Sequence, residues 1–359
     1  MDTLTLRILE TITSNMDDPL SINQLTERIK ETYGSAYYAN VHQKLQELKN
    51  EGTLALEQIG RSSNIKLNFQ NYLLIDTLAE MEIEKKRNFL TNRNELFSLL
   101  TEMDKTLNGK CEIQSISAIN PSKNIKLNKI ELLILLRETS NYHKTTIEVC
   151  REMLKLQNKH NLKINNLIVN GQDFLELTTS NEINPVREAL SEKIVFYGPQ
   201  SFWSEIREIA QKTEIKTIGQ ETKPASISQL DLMYNLNRFR YKEFGHQFTQ
   251  GKNFCIEYVV TAILLQEDAR LTEAIPVVLA KNTFKSSVLA FLNQKYDTSG
   301  RLLGLLKILQ NIKPTQENAD TIELLETFNV KEIHADKESL MAKVEALQCP
   351  VIKPRYLNS

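Results

Sequence analysis

The chain lacks the marks of a zinc protein, a membrane protein and a strongly charged polymer binder. Its four cysteines, Cys111, Cys150, Cys255 and Cys349, lie far apart in 359 residues. None makes a Cys-x-x-Cys pair or sits beside a histidine, so no zinc site is expected. Free thiols in a reducing cytosol fit that spacing. No run reaches about 18 apolar residues, which leaves no candidate membrane span. The opening MDTLTLRILE has no basic region ahead of a long apolar stretch, so no secretory leader is expected. These absences together predict a cytoplasmic protein. Charge of one sign is missing as well. The net charge is −1, so no global field draws the chain to nucleic acid or membrane, and any such contact must come from a local patch. Apolar residues make up 41% and charged residues 25%, which places the chain among globular proteins with length for two or three domains.

The stretch that organises the rest runs from residue 113 to 171. It reads as strand, loop, strand, helix, strand: IQSISAI, NPSKNIKLN, KIELLILLRE, a helical run over 142–161, and LKINNLIVN. The second strand is apolar but for Glu131 near its start, which suits a strand covered on both faces. This spacing resembles the minimal nucleotidyltransferase fold of archaeal and bacterial proteins. In that family a Gly-Ser pair follows the first strand, and an Asp-x-Asp opens the second about a dozen residues later. The resemblance implies two divalent metals held by carboxylates two apart on one side of a strand, with a third carboxylate from the next strand. It also implies a glycine turn that lets backbone amides approach a triphosphate.

At the matching positions this chain carries Ser117 and Ala118 for the Gly-Ser pair, and Lys129 and Glu131 for the two aspartates. The third carboxylate falls at Asn165 or Asn166. One carboxylate of three survives, and an ammonium at close range repels divalent cations. The resemblance therefore implies a frame without metal, cofactor or catalytic residues. The enzyme alternative is an active transferase that holds magnesium with Glu131 and a substitute carboxylate, Asp173 or Glu138. Asp173 fits better as a cap of the following helix. Behind the site, Phe174, Asn184-Pro185 and IVFYG resemble the end of the same fold, followed by a helix whose Phe202 and Trp203 belong in the core.

Residues 1–70 read as helix, helix, helix and two strands. Leu4, Ile8, Leu9 and Ile12 recur at helical spacing. Ser21 with Gln24 makes a capping-box pattern, Leu25, Ile29 and Tyr33 share a side, and Gly34 stops the helix. Val41, Leu45 and Leu48 mark a third helix over 37–50. TLALEQIG and NIKLNF alternate as strands about the turn at Arg61. This order resembles the winged helix-turn-helix found in front of archaeal nucleotidyltransferases. The resemblance implies double-stranded DNA contacts from Tyr37, Tyr38, Asn40, His42, Gln43 and Lys44 on the third helix and from Arg61 and Lys66 on the wing. Against it, residues 1–70 hold seven Lys/Arg and nine Asp/Glu, so a protein-docking use of the same surface stays open.

Between these parts, residues 71–108 read as one long amphipathic helix with Leu73, Leu78, Met81, Phe89, Phe97 and Leu100 in its apolar stripe. Lys85, Lys86 and Arg87 read as a solvated face. After Pro224 the pattern is helical throughout, with a first helix over 227–244 whose core stripe includes Leu230, Met233, Tyr234 and Tyr241. Arg240 and His246 share a spacing with a ribonuclease motif of helical proteins, which is expected by chance here. The predicted class is α/β plus all-α. Its parts are a winged helix-turn-helix (1–70), a connecting helix (71–109), a nucleotidyltransferase-like mixed sheet with helices (110–223) and a helical bundle (224–359). The matching functions are a non-catalytic DNA-binding or regulatory protein, such as one half of a toxin–antitoxin pair, the enzyme alternative above, or a purely structural docking module. A homo-oligomer is compatible with each.

Overall fold

A computed structural model describes residues 1–59, 62–91, 93–107, 112–137, 141–218, 222–241 and 248–333. The chain divides into two compact units, Met1–Thr222 and Lys223–Ser359. The first is mixed α/β and the second is built of helices.

The first unit opens with α1 (Thr3–Thr13), β1 (Leu20–Ser21), α2 (Ile22–Tyr33), α3 (Tyr38–Asn50), β2 (Leu54–Ile59) and β3 (Ser62–Leu67). Asp2 starts α1 by accepting a hydrogen bond from the Thr5 N–H at 2.9 Å. The predicted capping box opens α2: Ser21 Oγ accepts from Gln24 N–H, and Gln24 Oε1 accepts from Ser21 N–H at 2.9 Å. Gly34 closes it at φ 84°, a conformation that side-chain-bearing residues resist. Ile8, Leu9, Leu25, Ile29, Val41 and Leu45 are fully buried, so the inward stripes of the three helices form one small core. The strands form an antiparallel sheet in the order β1-β3-β2, with Leu20 opposite Ile65 and Leu54 opposite Leu67.

Two helices follow where one was predicted: α4 (Leu74–Leu90) and α5 (Asn94–Leu107). The break falls where Thr91 turns extended, at ψ 124°. Phe97 of α5 and Leu73, ahead of α4, are exposed instead of packed.

A four-stranded sheet then forms from β4 (Ile113–Ile119), β5 (Lys129–Leu136), β6 (Lys163–Asn170) and β7 (Lys193–Tyr197), in the order β6-β5-β4-β7. The expected loop between β4 and β5 contains a short helix, α6 (Pro121–Lys126), entered by Asn120 at φ 43°. β5 runs antiparallel to β4 and parallel to β6, to which it is joined by α7 (Tyr142–His160). After β6 come α8 (Gly171–Thr179) and α9 (Pro185–Ser191), and after β7 comes α10 (Pro199–Lys212). Every residue of β5 from Ile130 to Leu136 is buried. At roughly 1.5–3 kcal/mol for each large aliphatic side chain, this strand is the energetic centre of the unit. Phe202 and Trp203 lie in the core, edge to face at 5.3 Å.

Side chains tie down both outer strands of this sheet. On β7, Glu82 of α4 accepts from Val195 N–H at 2.9 Å, Lys85 donates to Lys193 O at 2.6 Å, and Lys86 donates to Phe196 O at 3.1 Å. The expected solvated face therefore holds only for Arg87, which is exposed and paired with Glu84. On β6, Ile164 N–H donates to Gln157 and Tyr142 OH donates to Ile168 O. Occupied edges protect a sheet against pairing with another chain.

The second unit contains α11 (Gln229–Arg238), α12 (Ile256–Gln266), α13 (Ala269–Thr272), α14 (Ala274–Lys281), α15 (Ser286–Lys295), α16 (Ser299–Ile312) and α17 (Gln316–Thr327). α12 is buried continuously from Ile256 to Leu264, as its apolar run requires. α11 stops at Arg238, six residues before the predicted end, and Arg240 follows at φ 65°. Its buried side is Leu232, Asn235 and Leu236, while Leu230 is exposed. The expected stripe was out of phase because a buried amide holds the place of an apolar residue. Asn235 accepts from Phe254 N–H and donates to Lys252 O and Asp231 O, which binds a polar loop onto the helix. His246 lies outside the described residues.

Candidate functional site

The strands of the central sheet line up their side chains in rows. One row holds Ile119, Glu131 and Asn165, and the next holds Ala118, Leu132 and Asn166. Successive rows face opposite sides of a sheet. Glu131 and Asn165 therefore share a face, and Asn166 lies on the other. The structure brings together the positions matching the second and third carboxylates, and it selects Asn165 over Asn166 for the third.

Lys129 lies two residues before Glu131 on the same face. Its Nζ stands 2.9 Å from Glu131 Oε1. The Glu131 side chain is fully buried and that of Lys129 is 21% exposed. The ammonium thus occupies the space beside the carboxylate where a cation would bind. Asn165 contributes an amide in place of an acid. The amide atoms of Asn165 and Asn166 and the Ser117 hydroxyl are buried and find no hydrogen-bond partner among the described residues, at a cost of roughly 1–3 kcal/mol for each unmade bond. The matching glycine turn is absent too. Ser117 and Ala118 lie inside β4, buried and paired with Leu133 and Leu132 of β5, and the chain turns only at Asn120.

The substitute carboxylates do not complete the site. Asn170 pairs with Leu136, five residues along the strand from Glu131, which is about 16 Å at the usual rise. Asp173 lies beyond that far end, in the first turn of α8. The cap of this helix is Asn170, whose side chain accepts from Asp173 N–H at 2.7 Å. Glu138 lies outside the described residues. Among the described residues no group of three His, Cys, Asp or Glu side chains is placed to hold a metal ion. The side chains at this site do not fit the metal pair that the resemblance implies.

The third-helix surface is built differently. Tyr37 and Tyr38 are 72% and 50% exposed, and Asn40, His42 and Gln43 are exposed with them. The rings of Tyr38 and His42 stack at 5.9 Å. The cations are engaged within the protein. Lys44 reaches Glu47 at 2.5 Å and Asp2 at 3.3 Å, and Lys66 reaches Glu57 at 2.8 Å. The hydrogen bonds to Glu47 and Asp2 hold the Lys44 ammonium above its ordinary range. Partial burial favours the neutral form of Asp2, yet its bonds to Thr5 and Lys44 outweigh that and hold the carboxyl at about 2. Arg61 lies outside the described residues.

Sequence reasoning missed a buried charge cluster beside β7. Lys193 is fully enclosed, its Nζ donating to Leu190 O at 2.9 Å and lying 4.9 Å from the centre of the Trp203 ring. Glu82, Lys85 and Glu10 surround it. Burial pushes the Lys193 ammonium down to about 8; Lys85 adds to this, and Glu82 and Glu10 resist it. No local pattern announces the cluster, because its partners lie 108 to 113 residues apart. The thiol of Cys150, buried and unpaired, is pushed up to about 12 by burial, which makes it a packing residue. No helix of the described residues is long and apolar enough to cross a membrane. No protein-family model matches the chain, and neither a curated protein nor a solved structure matches it.

Proposed function

We propose that this chain is a non-catalytic, cytoplasmic binding protein. Residues 1–70 form its winged helix-turn-helix, and the central sheet is a nucleotidyltransferase-like frame whose chemistry has lapsed. The observation that carries the reading is the buried Lys129–Glu131 pair, 2.9 Å apart: it neutralises internally the one carboxylate left at the matching positions. The order of three helices and a two-stranded wing, with sheet order β1-β3-β2, supports the winged-helix part. In such a domain α3 enters the major groove and the wing follows the backbone. Tyr37, Tyr38, Asn40, His42 and Gln43 are the groups open to base edges, with Lys66 on the wing.

Fluorescence anisotropy with duplex DNA tests this reading. Binding that weakens as salt rises from about 50 to about 200 mM supports phosphate contact, and no binding at the lower salt overturns it. Incubation of the full chain with nucleoside triphosphates and magnesium tests the lapse directly, and any transfer of a nucleotidyl group refutes it. A second reading has its own support. Lys44 and Lys66 are paired with acids of the same domain, which leaves α3 an aromatic and amide surface suited to a protein partner, such as the other half of a toxin–antitoxin pair or a second copy of this chain.

A further inference from the structure

A cavity of about 380 Å³ lies in the first unit, between α4, α5 and the β4–β7 side of the central sheet. Its walls are mostly aliphatic and aromatic: Leu90, Phe97, Leu100, Met103, Ile116 and Phe196. Small-molecule sites share this volume range and combine apolar walls with few polar groups. The polar groups on the wall are those of Lys86, Thr101, Asp104 and Tyr197. Lys86 Nζ donates one hydrogen bond, to Phe196 O, and two of its three N–H groups have no partner among the described residues. Tyr197 also lines the wall. Asp104, the one carboxylate on the wall, is exposed and makes no ion pair with Lys86. The cavity thus presents an ammonium that makes no ion pair among the described residues against a mostly apolar wall, and Phe97 stays exposed beside it.

We propose that this cavity binds a small amphipathic carboxylate, with a short acyl chain or a ring system against α5 and its carboxylate on Lys86. An ammonium beside apolar surface gains most from an anion, because the charge-assisted hydrogen bond forms where water competes least. The apolar part would lie against Phe97 and Leu100 of α5, which line this space. The site lies apart from Glu131 and from α3, and the inference does not depend on the proposed function.

Isothermal titration of the full chain with decanoate and with decanol, both below micelle formation, tests it. Decanoate is expected to bind, with decanol about tenfold weaker, the worth of one charge-assisted hydrogen bond. Leu100→Trp, which fills the cavity, should abolish binding of both. Lys86→Met should weaken decanoate about tenfold and leave decanol unchanged. That variant also removes a bond to the β7 edge, so Thr101→Trp, on the outer turn of α5, serves as a second block that spares the edge. Failure of the unaltered chain to bind decanoate overturns the proposal, as does undiminished binding in both cavity-filling variants. Equal affinity for decanoate and decanol overturns the carboxylate part.

Discussion

Two buried charge groups flank the same sheet, and they differ in how far their partners lie along the chain. Lys129 and Glu131 pair across two residues of one strand. Glu82, Lys85 and Lys193 assemble from a helix and a strand more than a hundred residues apart. Under the proposed function the first pair replaces something, since it fills the place that a nucleotidyltransferase-like frame would give to cations. The second builds something, since it closes the edge of β7 and anchors α4 to it. Buried ions are poor evidence of stability until one partner is removed, so substitution separates the two roles.

The largest effect is expected at Glu82. Glu82→Ala strands Val195 N–H and leaves Lys85 and Lys193 with Glu10 as their remaining nearby carboxylate. A loss of about 3–5 kcal/mol follows from breaking a buried network on one side. Trp203 is the only tryptophan and lies in this unit, so its fluorescence in urea reports the loss. A change under about 1 kcal/mol would make the cluster ornamental and erase the contrast.

Next comes the pH dependence of Lys193, whose ammonium stands near 8 against an ordinary 10.5. Between these values the unfolded chain binds a proton that the folded chain has shed. Stability therefore rises with pH across that window, by about 3 kcal/mol if this group acts alone. Lys193→Met should remove this rise while leaving stability at pH 7 equal or higher. The measurement is the difference between the two urea midpoints at pH 7 and pH 10. An identical slope in the variant would show that Lys193 carries none of it.

A smaller loss, about 2 kcal/mol, is expected for Lys129→Met, because the Lys129 side chain is partly solvated and screened. The same variant sharpens the functional contrast. It exposes Glu131 and Asn165 to any cation that enters, and calorimetry with magnesium then reads whether the frame regains affinity. Binding in the variant but not in the unaltered chain would show that the ammonium alone closes the site.

These contrasts also explain what was legible. Local devices could be read: the Ser21–Gln24 box, the Gly34 stop, the continuous burial of β5, and the Lys129–Glu131 adjacency, since residues two apart on a strand share a face. The mixed α/β character of the chain and the helices after Pro224 followed from periodicity. The break after Leu90 could not be read, because the apolar spacing runs on across it and only a change of backbone direction ends the helix. The phase of α11 was misread because Asn235 is buried for its hydrogen bonds, and periodicity counts only apolar residues. Lys85 and Lys86 were misread because their acceptors are backbone carbonyls, which have no signature in side-chain sequence. In the candidate site, the choice between Asn165 and Asn166 turned on register, which a single strand does not reveal.

Asp2 offers the smallest effect and joins stability to the α3 surface. Its carboxylate caps α1 through Thr5 and also touches Lys44 at 3.3 Å. Asp2→Ala should cost about 1 kcal/mol, the usual worth of an N-cap. The group is held near 2 in the folded chain against an ordinary 3.8, so its contribution is complete above 3.8 and fades as pH falls toward 2; the variant and the unaltered chain should converge in stability there. Removing Asp2 also leaves Lys44 with Glu47 as its remaining acid. If α3 meets phosphate, duplex DNA should bind the variant more tightly and with a steeper dependence on salt. Should α3 meet a protein, DNA affinity will not change while the capping loss remains. One substitution thus weighs a helix cap against a binding surface, and the two readouts move independently.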